Sequence, residues 1–159
     1  MRRFAEDTAV PISRSREEIM RLLRDWKASR IAWADDFQNG RAILQFVWTH
    51  DEADYGAEIA IQLETDEALM ARSKHAQSGA HLPGRFRELQ ERRGRREHRM
   101  LLLWIKATLN AVDAGIISAE QVFFPFLKGT DGKTVSEVLL PKMRDLLSMP
   151  ASKLLGSGK

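Results

Sequence analysis

Apolar side chains fall on a helical period early in the chain. Ile19, Leu22, Leu23 and Trp26 recur at i, i+3, i+4 and i+7, leaving Arg21, Arg24, Asp25 and Lys27 outside, the spacing of a single apolar stripe on an amphipathic helix. Ser15-Arg16-Glu17-Glu18 precedes it and reads as a capping box that starts the helix. Upstream, Arg3 to Val10 reads as a short edge strand ended by Pro11, which lacks the N–H a strand interior needs.

The period then changes from helical to alternating. Arg30 to Phe37 and Arg41 to Thr49 flank Asn39-Gly40, the pair that most readily takes the two positive φ values of a type I′ hairpin. With Gln38 and Arg41 flanking a two-residue turn, Trp33 is expected opposite Phe46, Ile31 opposite Trp48 and Asp35 opposite Leu44, with Ala32, Ala34, Ile43, Gln45 and Val47 on the other face. After the acidic connector Asp51-Glu52-Ala53-Asp54, Tyr55, Ala57, Ile59, Ile61 and Leu63 alternate with Glu58, Ala60, Gln62 and Glu64, which predicts a third half-buried strand. The first helix is then expected to cover the aromatic face of an antiparallel meander.

No apolar period runs through Thr65 to Pro83, apart from a short helical turn expected at Glu67 to Arg72, so this stretch reads as a linker. A long helix is predicted from Gly84 to Ala114, with Leu101, Trp104, Ile105, Thr108, Leu109 and Val112 on its core-facing stripe, a weak point at Gly94 and Gly115 as its C-terminal cap. Ser118-Ala119-Glu120-Gln121 is a second capping box, leading into a short helix through Phe123 that ends near Lys128. Asp131-Gly132 marks a tight turn, and Thr134 to Ser148 reads as a last helix kinked or restarted at Pro141.

The fold expected from these elements is α+β: a small antiparallel sheet of three or four strands under an N-terminal helix, followed by a long basic helix and a C-terminal helical hairpin. The expected organisation is a sheet domain over 1–64, a linker over 65–84, a helical region over 85–155 that packs on the sheet, and a flexible tail over 156–159.

Composition narrows the chemistry. In 159 residues, 43% of them hydrophobic, one substantial core can form. The chain has no cysteine, which excludes disulfides, thiol catalysis and thiolate zinc sites, and fits a cytoplasmic location. With acids near the N-terminus no secretory leader is expected, and the longest apolar run, Met100 to Ile105, is too short to span a membrane. No membrane partner is expected. A net charge of +3 with pI near 9.4 permits a polyanionic partner without requiring one.

The arginines are concentrated. Arg85-Phe86-Arg87 and Arg92-Arg93-Gly94-Arg95-Arg96-Glu97-His98-Arg99 place seven arginines in fifteen residues. On a helix, Arg85, Arg92, Arg95, Arg96, Arg99 and Lys106 gather on one side, with Arg93 beside them. Arginine's planar, permanently charged fork suits phosphate, so this face is the candidate nucleic-acid site, expected to bind with little sequence choice and strong salt dependence. Against it, Glu88 before Arg92 and Glu91 before Arg95 stand at the i, i+4 spacing of intrahelical ion pairs, which would make it a solvated helix face.

Other chemistry is sparse. Trp33, Phe46 and Trp48 are the right residues for base stacking, but their neighbours Ile31, Asp35 and Leu44 are apolar or acidic, so they read as core. His50, Asp51, Glu52 and Asp54 form a small oxygen-and-nitrogen cluster that reads as an acidic hairpin loop. The four histidines show no metal-ligand spacing, and no phosphate-binding glycine loop or nucleophile elbow is present. No catalytic residue, metal or cofactor is expected, an enzyme resting only on the His50 to Asp54 cluster and on His75 and His81.

The order of features also resembles a family of small phage- and prophage-encoded proteins without assigned function. The resemblance is carried by Val10-Pro11-Ile12, Arg16-Glu17-Glu18-Ile19, the run from Leu102 to Ile116, Phe126-Leu127, Asp131-Gly132-Lys133-Thr134-Val135 and Leu139-Leu140-Pro141. It implies an accessory to phage DNA replication or recombination, working in the host cytoplasm. The chain departs from that pattern before the long helix, where Phe86 and arginines replace a tryptophan-rich stretch. The expectation is a non-enzymatic protein binding nucleic acid, DNA ahead of RNA, through Arg85, Arg92, Arg93, Arg95, Arg96, Arg99 and Lys106. The alternative is a protein-interaction module, either a homo-oligomer or an inhibitor of a host protein, with a phage or host protein as partner.

Overall fold

The computed structural model describes residues 8–36, 38–63 and 82–147, the last stretch without the side chains of 82–87 and 144–147. Along the chain lie helix α1 (Ile12–Asp25), strands β1 (Arg30–Asp36), β2 (Arg41–His50) and β3 (Ala53–Gln62), helix α2 (Leu82–Asp113), the short helix α3 (Ala119–Phe123), a 3-10 turn (Phe124–Phe126) and helix α4 (Val135–Leu147). The protein is therefore α+β, with a three-stranded antiparallel sheet in the order β1-β2-β3. Most of the expected N-terminal strand, the helical turn at 67–72 and the tail lie outside the described residues, and Thr8 to Val10 are irregular.

Helix α1 starts one turn before the Ser15 box. Its N-cap is Pro11, with no side-chain cap, and Ser15 is fully buried with its Oγ unpartnered. The physical reason is tertiary. Extending the helix to Ile12 adds that side chain to the apolar stripe and sets it against Gly94 of α2, where a Cβ would stand 2.7 Å from Ile12 Cδ1. Burial against another helix outweighs a cap worth about 1 kcal/mol.

The same contact explains why α2 runs unbroken through Gly94: the residue marks a close approach of two helices. Gly94→Ala is expected to change the unfolding free energy by less than about 1 kcal/mol, because the gain in helix propensity offsets a small movement of the Ile12 tip. Gly94→Leu, which cannot fit, is expected to cost about 1–3 kcal/mol in urea denaturation. Equal stability of the two variants would show that α1 and α2 are not in contact there.

The β1–β2 hairpin differs from the expected register. Asp36 pairs with Arg41, Trp33 with Leu44 and Ile31 with Phe46, so four residues, not two, connect the strands. Gly40 has φ 59°, but Asn39 is not at positive φ. Asn39 instead gives its backbone N–H and its side-chain amide to the Asp36 carboxylate, which Arg41 also holds. Hydrogen bonds from Arg41 first and Asn39 second pull the Asp36 carboxyl down to about 2. Because the slip is two residues, every side chain keeps its expected face. The two-residue turn with both φ values positive occurs at Asp51-Glu52 instead, at 46° and 63°, between His50 and Ala53.

One core joins both parts of the chain. Ile19 and Leu23 of α1, Leu44, Phe46 and Trp48 of β2, Ala57 and Ile59 of β3, Leu101, Leu102, Ile105 and Leu109 of α2, and Phe123 of α3 form a single buried cluster. Trp104, expected inside it, is 36% exposed. Helix α2 ends in a Schellman motif, with Gly115 at φ 70° and N–H bonds from Gly115 to Val112 and from Ile116 to Ala111, the geometry that favours glycine at this position. The Ser118 box forms as expected, Ser118 and Gln121 exchanging side-chain-to-backbone bonds. Thr134 and Glu137 make the same reciprocal arrangement ahead of α4, which continues through Pro141. Between them, Leu127 and Lys128 run beside β3, where the Lys128 N–H donates to the Gly56 carbonyl. No helix among the described residues is long and apolar enough to cross a membrane.

Candidate nucleic-acid interface

The core stripe of α2 turns His98, Leu101, Leu102, Ile105 and Leu109 inward, and the helical period then sends the arginines to the opposite arc. They arrive there accompanied. Arg95 meets Glu91 at 3.5 Å, Arg93 meets Glu97 at 3.7 Å, and Arg96 donates to the same Glu97 carboxylate. Arg99 reaches across to Glu18 of α1 at 3.4 Å, where Arg14 also binds. Arg96 retains only 17% of its side-chain exposure, whereas Arg92 and Lys106 are exposed. Arg85 lies in the first turn of α2, with its side chain outside the described ones. Lys106 stands about 10 Å further along the axis than Arg99, beside a groove with Leu22, Asp25, Trp26, Asn110 and Asp113.

Glu91, Glu97 and Glu18 thus meet Arg95, Arg93, Arg96 and Arg99, and the acids of the β2–β3 turn have partners of their own. There, Asp54 accepts from the Thr49 hydroxyl and His50 lies between Asp51 and Glu120, at 3.5 and 3.6 Å. Charge is segregated between the layers. Over 88–106, Arg92, Arg93, Arg95, Arg96, Arg99 and Lys106 face Glu88, Glu91 and Glu97, whereas over 30–63 Arg30 and Arg41 face Asp35, Asp36, Asp51, Glu52, Asp54 and Glu58.

A polar network with no counterpart in the sequence reading sits where α1, α2 and β1 meet. His98 is 1% exposed. Its Nδ1 lies 2.7 Å from the Gly94 carbonyl and its Nε2 lies 3.0 Å from Arg16 Nε, so Nδ1–H donates and Nε2 accepts, which defines the neutral tautomer. The two terminal nitrogens of Arg16 grip Asp35 in bidentate fashion, and its guanidinium carbon stands 4.7 Å above the Trp33 ring. Burial, with the Arg16 charge adding to it, pushes the His98 pKa down against the pull of the Gly94 carbonyl. The Arg16 hydrogen bond holds the Asp35 carboxyl below its ordinary range. With both ring nitrogens occupied, His98 has no proton or lone pair to offer a substrate. This junction is a fastening.

The aromatic face is likewise committed to the fold. Phe46 and Trp48 are buried, and Trp33 lies against His98 at 5.5 Å between ring centres. Among the described residues no group of three or more His, Asp or Glu side chains is placed to hold a metal ion. No protein-family model, curated protein or solved structure matches the chain.

Proposed function

We propose that the protein is a non-enzymatic accessory factor that binds nucleic acid through the arginine arc of α2, by contact with phosphates and largely without regard to sequence. The observation that carries this reading is the charge segregation. A helix presents six cations against three carboxylates along about 27 Å of its axis, while the acids gather on the sheet. Its ion pairs, mostly half-buried, compete with a phosphate for the same guanidinium groups and do not preclude binding, since a phosphate can replace the carboxylate in the same forked geometry. A DNA-handling role agrees with the phage setting that the resemblance implies.

Fluorescence anisotropy with labelled oligonucleotides at two salt concentrations tests the reading. Binding is expected at low salt and is expected to weaken steeply as salt rises. Replacing Arg92, Arg95, Arg96 and Arg99 together with alanine is expected to weaken it by more than about tenfold. Glu91→Gln with Glu97→Gln, which removes competing carboxylates, is expected to tighten it. Absence of binding at low salt, or affinity indifferent to the four arginines, would refute the proposal.

A further inference from the structure

We infer that the nucleic acid held on this arc is single-stranded and that Trp104 stacks on one of its bases, an inference that rests on the phosphate-binding reading above. Three of the four tryptophans are committed elsewhere. Trp48 is buried, Trp33 is pinned by Arg16 and His98, and Trp26 packs on Trp48 and Phe123. Trp104 differs. Phe123 and Phe126 hold it at 6.1 and 5.6 Å with their ring planes steeply inclined to it, yet 36% of it stays open. One turn earlier Met100 is 42% exposed, so an apolar strip continues the arc toward its C-terminal end.

Helical geometry sets this strip at the Arg93 edge of the arc, with Arg96 about 80° round the helix from Trp104 and Arg92, Arg95, Arg99 and Lys106 further round. Trp104 follows Arg93 by eleven residues, which is three turns and about 20° of rotation, and it lies about 12 Å beyond Arg96 along the axis. Met100 fills the interval. A strand whose phosphates meet Arg93 and Arg96 therefore brings a base over Met100 and Trp104 within a few nucleotides. Only an unstacked base offers its π-face to a ring, because a duplex hides those faces between neighbouring pairs. A ring propped by two other aromatics at the edge of a basic helix face is the kind of platform on which single-strand binders stack a base.

The test compares a labelled oligothymidylate with a duplex of equal length at one low salt concentration, using the full chain, Trp104→Phe and Trp104→Leu, each verified as folded by circular dichroism. The single strand is expected to bind more tightly than the duplex. Trp104→Leu is expected to weaken single-strand binding about 5- to 150-fold, the range a lost stacking contact corresponds to, and to leave duplex binding within about twofold. Trp104→Phe, which keeps a π-face, is expected to retain most of the affinity. Single-strand affinity unchanged in folded Trp104→Leu, or a duplex bound at least as tightly, would overturn the stacking inference while salt-sensitive, arginine-dependent binding left the phosphate reading standing. No binding of either oligonucleotide would overturn both. Mass photometry showing a dimer that Trp104→Leu dissolves would assign the strip to a second copy of the chain and would also overturn the inference.

Discussion

Phe123→Ala is expected to lower the unfolding free energy by about 3–5 kcal/mol, read as a lower urea midpoint at unchanged slope. Phe123 is fully buried, and its ring lies 5.1 Å from Phe46, 5.6 Å from Trp48, 5.8 Å from Trp26 and 6.1 Å from Trp104. One side chain on a five-residue helix therefore lies against Trp26, which caps α1, and against β2 and α2 at once. Those neighbours are large and mutually packed, so they close poorly over the space an alanine leaves, which places the cost at the upper end for a truncated aromatic. Against a typical total of about 5–15 kcal/mol, the variant retains little margin. A loss under about 1 kcal/mol would mean that α3 is not docked on the core in solution.

Arg16→Leu is expected to cost about 2–3 kcal/mol, because it leaves the buried Nε2 of His98 without a donor and the Asp35 carboxylate without its partner. The same junction is expected to make stability depend on pH in two separate steps. The folded pKa of His98 is depressed below its ordinary 6.5. As pH falls through that value the unfolded chain takes up a proton that the folded protein refuses, and stability declines. Asp35 is depressed below 3.8, so its contribution is intact above that value and is lost as pH falls through the folded pKa. Urea midpoints measured from neutral to strongly acidic pH are expected to show both declines. His98→Gln is expected to flatten the upper one and Arg16→Leu to diminish the lower. A His98→Gln profile superimposable on the parent's near pH 6 would contradict the buried neutral imidazole.

These elements show which features a sequence can disclose. The Ser118 box was legible because both of its partners lie within four residues, and nothing distant competes for them. Ser15-Arg16-Glu17-Glu18 carries the same local signal, but the packing of Ile12 on Gly94 moves the helix start upstream. The strand faces followed from alternation alone, whereas the register required the Asp36–Asn39 hydrogen bonds that set the turn. Within the candidate site, Glu91 with Arg95 could be read from i, i+4 spacing. The link between Arg16 and His98 spans 82 positions and leaves no local trace. Trp104 satisfied the core period and still emerged at the stripe's margin, because Leu102 and Ile105 take the centre.

The two-residue slip of the first hairpin bears on how this protein can vary. A shift of pairing by two residues keeps Trp33, Leu44 and Phe46 turned inward, whereas a shift by one would turn one strand over and carry its apolar set to solvent. Residues gained or lost between Asp36 and Arg41 leave those faces unchanged as long as Asp36 still pairs with Arg41, so this loop is expected to tolerate changes of length that the strands beside it do not.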